Sequence, residues 1–177
     1  MVKTLFASFL LLMIAVPALA QDDFPRVELA FGYANLGFPG APNATTGVSP
    51  TEHKSGFSMH QGFNLTSSMG IENYMGYYSL GNQSYIFANI IGGKLMYRTD
   101  KVVPYVVAGF GGASITQNIG GFSYGGSTMA YRLGGGFDYR ISDVMGWRVD
   151  VSKLQIHPNG WLGKMNISTG IVLVLMQ

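Results

Sequence analysis

An all-β fold, an eight-stranded antiparallel closed transmembrane β-barrel, is predicted by three features of this 177-residue sequence. Large apolar residues alternate with small or polar ones at period two along most of the chain, as in strands with two unlike faces. Only 11% of the residues are charged, against about 25% in ordinary globular domains, too few to cover a soluble surface. Beyond the N-terminal segment, no apolar run reaches the roughly 18 residues that mark a helical span. An apolar chain without helical spans is left with a closed barrel, because an open sheet would expose unpaired backbone groups to lipid.

The N-terminus reads as a secretory signal over residues 1–20. Lys3 supplies the positive end, 5–16 is apolar and uncharged, Pro17 breaks it, and Ala18-Leu19-Ala20 gives the small-x-small cleavage pattern. The apolar run is too short to anchor the chain as a helix, which takes about 20 residues. Cleavage after Ala20 would leave residues 21–177 as one barrel domain. With no cysteine, the chain is neither a lipoprotein nor a disulfide-stapled secreted domain. Without Lys3, ten basic and nine acidic side chains remain, a balance that gives nucleic acid no electrostatic footprint.

Eight strands follow from the alternation. On 129–140, Met129, Tyr131, Leu133, Gly135, Phe137 and Tyr139 share one face, and Ala130, Arg132, Gly134, Gly136, Asp138 and Arg140 the other. On 27–34, Val27, Leu29, Phe31 and Tyr33 oppose Glu28, Ala30, Gly32 and Ala34. On 57–65, Phe57, Met59, Phe63 and Leu65 oppose Ser58, His60, Gly62 and Asn64, with Gln61 an exception on the apolar face. On 164–175, Met165, Ile167, Ile171, Leu173 and Leu175 oppose Lys164, Asn166, Ser168 and Gly170. The runs 71–80, 85–98, 103–112 and 147–155 complete the set, and 71–80 does not fix its own parity. Connections 66–70, 99–102 and 141–146 are tight. Of the others, 35–52 and 113–127 are long, 156–163 is intermediate, and only 81–84 is short. Short periplasmic turns opposite longer external loops are the habit of outer-membrane barrels.

Alternation also occurs in soluble barrels such as lipocalins, which turn their apolar face inward. Side-chain size separates the two cases. Here the apolar faces carry the large residues, which suit lipid, while the opposite faces carry Gly, Ala, Ser and scattered charges, which suit a narrow interior. Tyr97, Tyr139 and Trp147 stand beside the short turns and would form the periplasmic part of an aromatic girdle.

The stretches GGGFDYRISD (134–143), PYVVAGFGGA (104–113) and NISTGIVLVL (166–175) resemble the OmpA/OmpX-like outer-membrane β-barrel superfamily over essentially the whole mature chain. The resemblance implies a bacterial outer-membrane location in contact with lipid and lipopolysaccharide, and handling by periplasmic chaperones and the barrel-assembly machinery. Family members usually end the last strand in Phe, which that machinery reads. This chain instead ends Met176-Gln177, while the alternating Ile171, Leu173 and Leu175 are kept.

No catalytic, cofactor-binding or metal-binding residue is assigned. Glu28, Lys94, Arg132, Asp138, Arg148, Asp150 and Lys164 are expected to face inward. They could line a narrow pore for ions or small solutes, or form a compensated network that fills the lumen, and an eight-stranded barrel favours filling. His53, His60 and His157 lie on three segments, His53 and His157 near the outer rim. For a lipid-modifying enzyme, a third reading, the serine–histidine pairs would be His53 with Ser55 or Ser58 with His60, with Glu52 as the nearby acid. His157-Pro158-Asn159 lacks a serine. The paired glycines 120–121 and 125–126, and the run 134–136, lack the Lys-Ser/Thr ending of a phosphate loop. An external ligand, if bound, would meet the loops 35–52 (Phe38, Pro39, Pro42, Asn43, Pro50) and 113–127 (Phe122, Tyr124). The resulting expectation is a non-enzymatic barrel with a structural or surface-interaction role, in envelope integrity or adhesion.

Overall fold

The structure, a computed structural model, describes residues 24–39, 51–157 and 162–176. The expected signal segment 1–20 and the loop residues Pro42, Asn43, Pro50, Pro158 and Asn159 lie outside them. Eight strands form in chain order: β1 (Val27–Pro39), β2 (Thr51–Asn64), β3 (Met69–Gly81), β4 (Ser84–Met96), β5 (Val102–Ile119), β6 (Phe122–Arg140), β7 (Met145–Ile156) and β8 (Leu162–Met176). Each pairs antiparallel with its sequence neighbour, and β1 pairs with β8, closing the ring. Closure leaves no free edge, which is what lets strands sit in lipid. The beginning of β1, the end of β8 and the turns β2–β3, β4–β5 and β6–β7 share one end, called here the near end.

The strands are longer than the alternation suggests. The stretch 113–127, expected as a long loop, is instead the top of a hairpin in which Ser114 pairs with Ser127, and Ile119 with Phe122. Its turn is only Gly120-Gly121, with φ of +62° and +86°. Gly, Ser and Thr made this segment read as a loop, but each sits in a ladder whose side chains need no core. The 35–52 connection also contracts, since β1 runs on to Pro39 and β2 begins at Thr51.

The β3–β4 hairpin turns on Asn82-Gln83, both with positive φ, 48° and 59°. This is the twist-matched two-residue turn that ordinarily favours Asn-Gly. Asn tolerates the left-handed region, whereas Gln does not. Gln83→Gly is therefore expected to stabilise the refolded barrel by about 1 kcal/mol, read as a shift in urea midpoint.

Burial follows the expected faces. On β6, Ala130, Arg132 and Asp138 are buried while Met129, Leu133, Phe137 and Tyr139 are exposed. On β4, Lys94 and Met96 point in and Leu95 points out, as does Tyr97 just beyond the strand. The undecided β3 turns Glu72, Tyr74 and Tyr78 inward and Ile71 and Tyr77 outward. Val27, expected outward, is buried, at a register shift between Val27 and Glu28 in the β1–β8 ladder.

Candidate functional site

The interior is layered. Toward the far end, Leu36, Tyr74, Tyr78, Ile86, Ile90 and Leu154 pack with small alanines into an apolar cluster. Toward the near end, Met96, Val103, Tyr105 and Val107 form a smaller one. The charged residues lie in the same interior and form one connected network.

Four carboxylates meet four cations there. Arg132 donates from Nη2 to Asp150 Oδ2 at 2.6 Å, from Nη1 to Glu72 Oε1 at 3.0 Å, and from Nε to Ser152 Oγ at 3.1 Å. Arg148 forks onto Asp138, Nε to Oδ1 at 2.6 Å and Nη2 to Oδ2 at 2.7 Å, and reaches Glu72 Oε2 at 3.1 Å. Lys94 Nζ donates to Glu28 Oε2 at 3.0 Å and lies 3.8 Å from Glu72 Oε2. Arg98 donates to Glu28 Oε1 at 3.3 Å from both terminal nitrogens. Such pairing is the condition for keeping charge in a site that water scarcely reaches.

Aromatic and amide groups extend the network. Arg132 stacks over Tyr74, 4.4 Å from the ring centre, and Arg148 over Tyr105 at 5.0 Å. Tyr105 donates to Asp150 Oδ2 at 2.9 Å. Tyr74 and Tyr78 share a hydroxyl hydrogen bond, and Tyr78 donates onward to Asn166 Oδ1 at 2.7 Å. Asn166 Nδ2 contacts Tyr74 Oη and Ser152 Oγ, each at 3.3 Å.

Of the seven charges expected inward, the structure joins six. The Lys164 side chain lies outside those described. Glu72, the carboxylate shared by Arg132, Arg148, Lys94 and His60, was missed, because the 71–80 run has aromatics on both faces. An acid flanked by Ile71 and Asn73 would have betrayed the inner face, since it has no place in lipid.

The serine–histidine pairs are separated. Ser55 faces outward and hydrogen-bonds Tyr33 Oη at 2.6 Å, while His53 Nδ1 meets Asn35 Oδ1 at 2.7 Å. Glu52 is bound to Lys54 at 2.7 Å. Ser58 and His60 both face inward, but His60 Nδ1 is taken by Glu72 Oε1 at 3.2 Å. Ser58 Oγ and His60 Nε2 are buried without a hydrogen-bond partner among the described residues, so no base engages the hydroxyl. His53 stands on the β1–β2 ladder and His157 beside Met129 of β6, and no described contact joins them.

A recess of about 320 Å³ sits at the near end, lined by Phe24, Glu28, Arg98, Asp138, Arg140 and Asp143 among others. It meets the charge network at Glu28 and Asp138.

Outside, Tyr97, Tyr139 and Trp147 lie near the turns and face away from the interior, as expected. Trp147 Nε1 donates to Thr169 Oγ1 at 2.7 Å. Between the ends the wall is dominated by Phe31, Ile91, Val106, Phe110, Leu133, Val151, Ile167 and Ile171, all exposed. A water-soluble fold would not leave so continuous an apolar surface uncovered.

The sequence matches the outer membrane protein beta-barrel domain family over residues 6–173. The chain belongs to that family. This barrel therefore resides in the bacterial outer membrane, and its apolar wall faces lipid. Among solved structures, it is similar to Neisserial surface protein A, with a TM-score of 0.69 at 9% identity, covering 84% of this chain and 97% of that one. The N-terminal β-barrel domain of Pseudomonas aeruginosa OprF gives a TM-score of 0.60 at 14% identity, covering 84% and 96%. Ail, the attachment invasion locus protein of Yersinia pestis, gives 0.56 at 14% identity, covering 83% and 97%. At such identities the likeness is one of fold. No curated protein matches the sequence.

An arginine on the lipid-facing wall of this outer-membrane barrel should be poorly tolerated. Ile171→Arg, on β8 opposite Phe31, is expected to cost about 2–4 kcal/mol in a urea titration in lipid vesicles.

Proposed function

We propose that this barrel does not conduct, and that it serves the envelope as a structural and surface-interaction protein working through its far end. The observation that carries the reading is the interior itself. Arg132, Lys94, Glu72, Asp150, Tyr74 and Tyr78 are each nearly inaccessible to solvent, and every cation in the network is held by a carboxylate. A transport path would have to break those pairs and also part the apolar cluster beyond them. Each is costly, because a buried charge that loses its partner has no water to replace it.

The termini and short turns then lie in the periplasm, and the far end faces outward. The long β5–β6 hairpin carries Phe122 and Tyr124, 70% and 60% exposed, at its tip. Aromatic side chains on a rigid support are suited to contact with a surface partner. Ail, one of the structural neighbours, is an attachment protein by name, which supports an adhesive role without specifying a ligand. No catalytic role is proposed. During biogenesis the partners are periplasmic chaperones and the barrel-assembly machinery, and in place they are lipid and lipopolysaccharide.

Single-channel recording of the purified full-length protein in a planar bilayer tests the central part. The expected result is no steady conductance above background. Stable, reproducible steps would instead favour the narrow pore.

A further inference from the structure

The wall formed by β2, β3 and β4 differs from the rest of the lipid-facing surface. It presents three amides in its lower and middle parts: Gln61 on β2, Asn73 on β3 and Asn89 on β4. They stand three, four and seven residues inside the near-end limits of their strands at Asn64, Met69 and Met96. At about 3.3 Å per residue and a tilt near 40°, they lie roughly 8–18 Å into an apolar band about 25 Å tall. On the opposite wall, the outward polar residues at comparable depth are otherwise accommodated. The Thr169 hydroxyl is bonded to Trp147 and to the Arg148 carbonyl, and Asn35 is bonded to His53. Lys153, eight residues inside Met145 of β7, has a stem long enough to carry its charge toward the far rim.

The amides are only partly satisfied. Asn73 Nδ2 donates to Gln61 Oε1 at 3.2 Å, which uses one donor and one acceptor of the pair. Asn89 is exposed and has no hydrogen-bond partner among the described residues. Its cross-strand neighbour on β5 is Gly112, which offers no side chain to cover it. Below it, the paired Gly93 and Ala108 leave an apolar notch of about 290 Å³ bordered by Met69, Leu95, Val106 and Leu133. Acyl chains can fill the notch but supply no hydrogen bond to a primary amide at this depth. Small residues beside an unsatisfied amide mark protein association within a membrane, where close backbone approach and interchain hydrogen bonds replace the hydrophobic effect.

We infer that the wall running from β2 to β5, centred on β4, is a dimerisation face on which a second copy of this chain docks, Asn89 meeting its counterpart across a two-fold axis along the membrane normal. The chemistry of the group selects this occupant. An amide carries both donor and acceptor, so an identical amide completes it, and a two-fold interface brings like residues together. The outward residues around it carry no charge that would require a charged partner.

The absence of cysteine makes an introduced thiol an unambiguous probe. Ile91→Cys places one beside Asn89 on β4, and Ile171→Cys places one on the opposite wall. Intact outer membranes containing the full chain are treated with a short bis-maleimide. The expected result is a dimer-mass band at least tenfold stronger for Ile91→Cys than for Ile171→Cys. In the Ile91→Cys background, Asn89→Leu is expected to reduce the band at least tenfold, and Asn89→Gln to preserve it. All variants are checked for heat-modifiable migration, and Asn89→Leu puts an apolar residue on a lipid face, so folding is kept. Equal bands from the two walls, an unchanged band in Asn89→Leu, or an adduct of any other mass overturns the proposal.

Discussion

Glu72→Ala is expected to lower the unfolding free energy of the barrel by about 3–5 kcal/mol, the cost of leaving buried charge uncompensated. Glu72 holds Arg132 at 3.0 Å, Arg148 at 3.1 Å and His60 at 3.2 Å, with Lys94 at 3.8 Å. Its removal leaves four interior cations facing three carboxylates. Glu72→Gln keeps an acceptor but not the charge, and is expected to fall between the variant and the parent. Glu52→Ala removes the partner of Lys54 on the exposed wall and is expected to change stability by less than about 1 kcal/mol. Urea titration of the refolded protein, followed by heat-modifiable migration, separates the three.

Gly170→Val is expected to prevent closure outright, giving little folded protein under conditions in which the parent refolds. Gly170 of β8 faces Gly32 of β1 across the seam that completes the ring. A Cβ on Gly170 would lie 1.9 Å from the Phe31 carbonyl oxygen and 2.3 Å from the Gly32 Cα. Both contacts are to backbone, which no side-chain rotation can relieve. The two strands would have to separate, and β1–β8 pairing is the step that removes the last free edges. Gly93→Val offers the contrast. It lies on the outer wall with nothing within 4 Å of its Cβ position, so the barrel should form. A folded fraction for Gly170→Val equal to that of Gly93→Val would show that the seam tolerates bulk.

The architecture was legible where the two faces differ in kind. On β6, Arg132 and Asp138 alternate with Leu133, Phe137 and Tyr139, so periodicity together with side-chain size settled orientation, and the turn-side aromatics Tyr97, Tyr139 and Trp147 followed. Legibility failed on β3, because Tyr74 and Tyr78 face inward while Tyr77 faces outward. Size ceases to discriminate when the interior itself uses tyrosine as filler, stacked under arginine. The 113–127 segment misled for the opposite reason. Above the band where one face must be apolar, a hairpin has no need to alternate, and the positive-φ pair Gly120-Gly121 was its remaining sign. The network itself was half legible. Pairs on neighbouring strands, such as Asp138 with Arg148, follow from register, but links across the lumen, Glu28 with Lys94 or Arg132 with Glu72, depend on how the ring closes. No local spacing records that closure. Gln61, a lone polar residue on an otherwise apolar face, was visible in the sequence, yet its meaning appeared only when the β2–β3 register set it beside Asn73.

The most direct test is cysteine scanning of β6 from 130 to 139 in the outer membrane, using a lipid-soluble and a water-soluble maleimide in parallel. The expected result is that the lipid-soluble reagent labels 131, 133 and 137, that neither reagent labels 130 or 132, and that the water-soluble one labels none of these positions. Labelling of 130 and 132 by the water-soluble reagent would reveal a wet lumen. Its labelling of 133 and 137 would show a barrel surrounded by water rather than lipid.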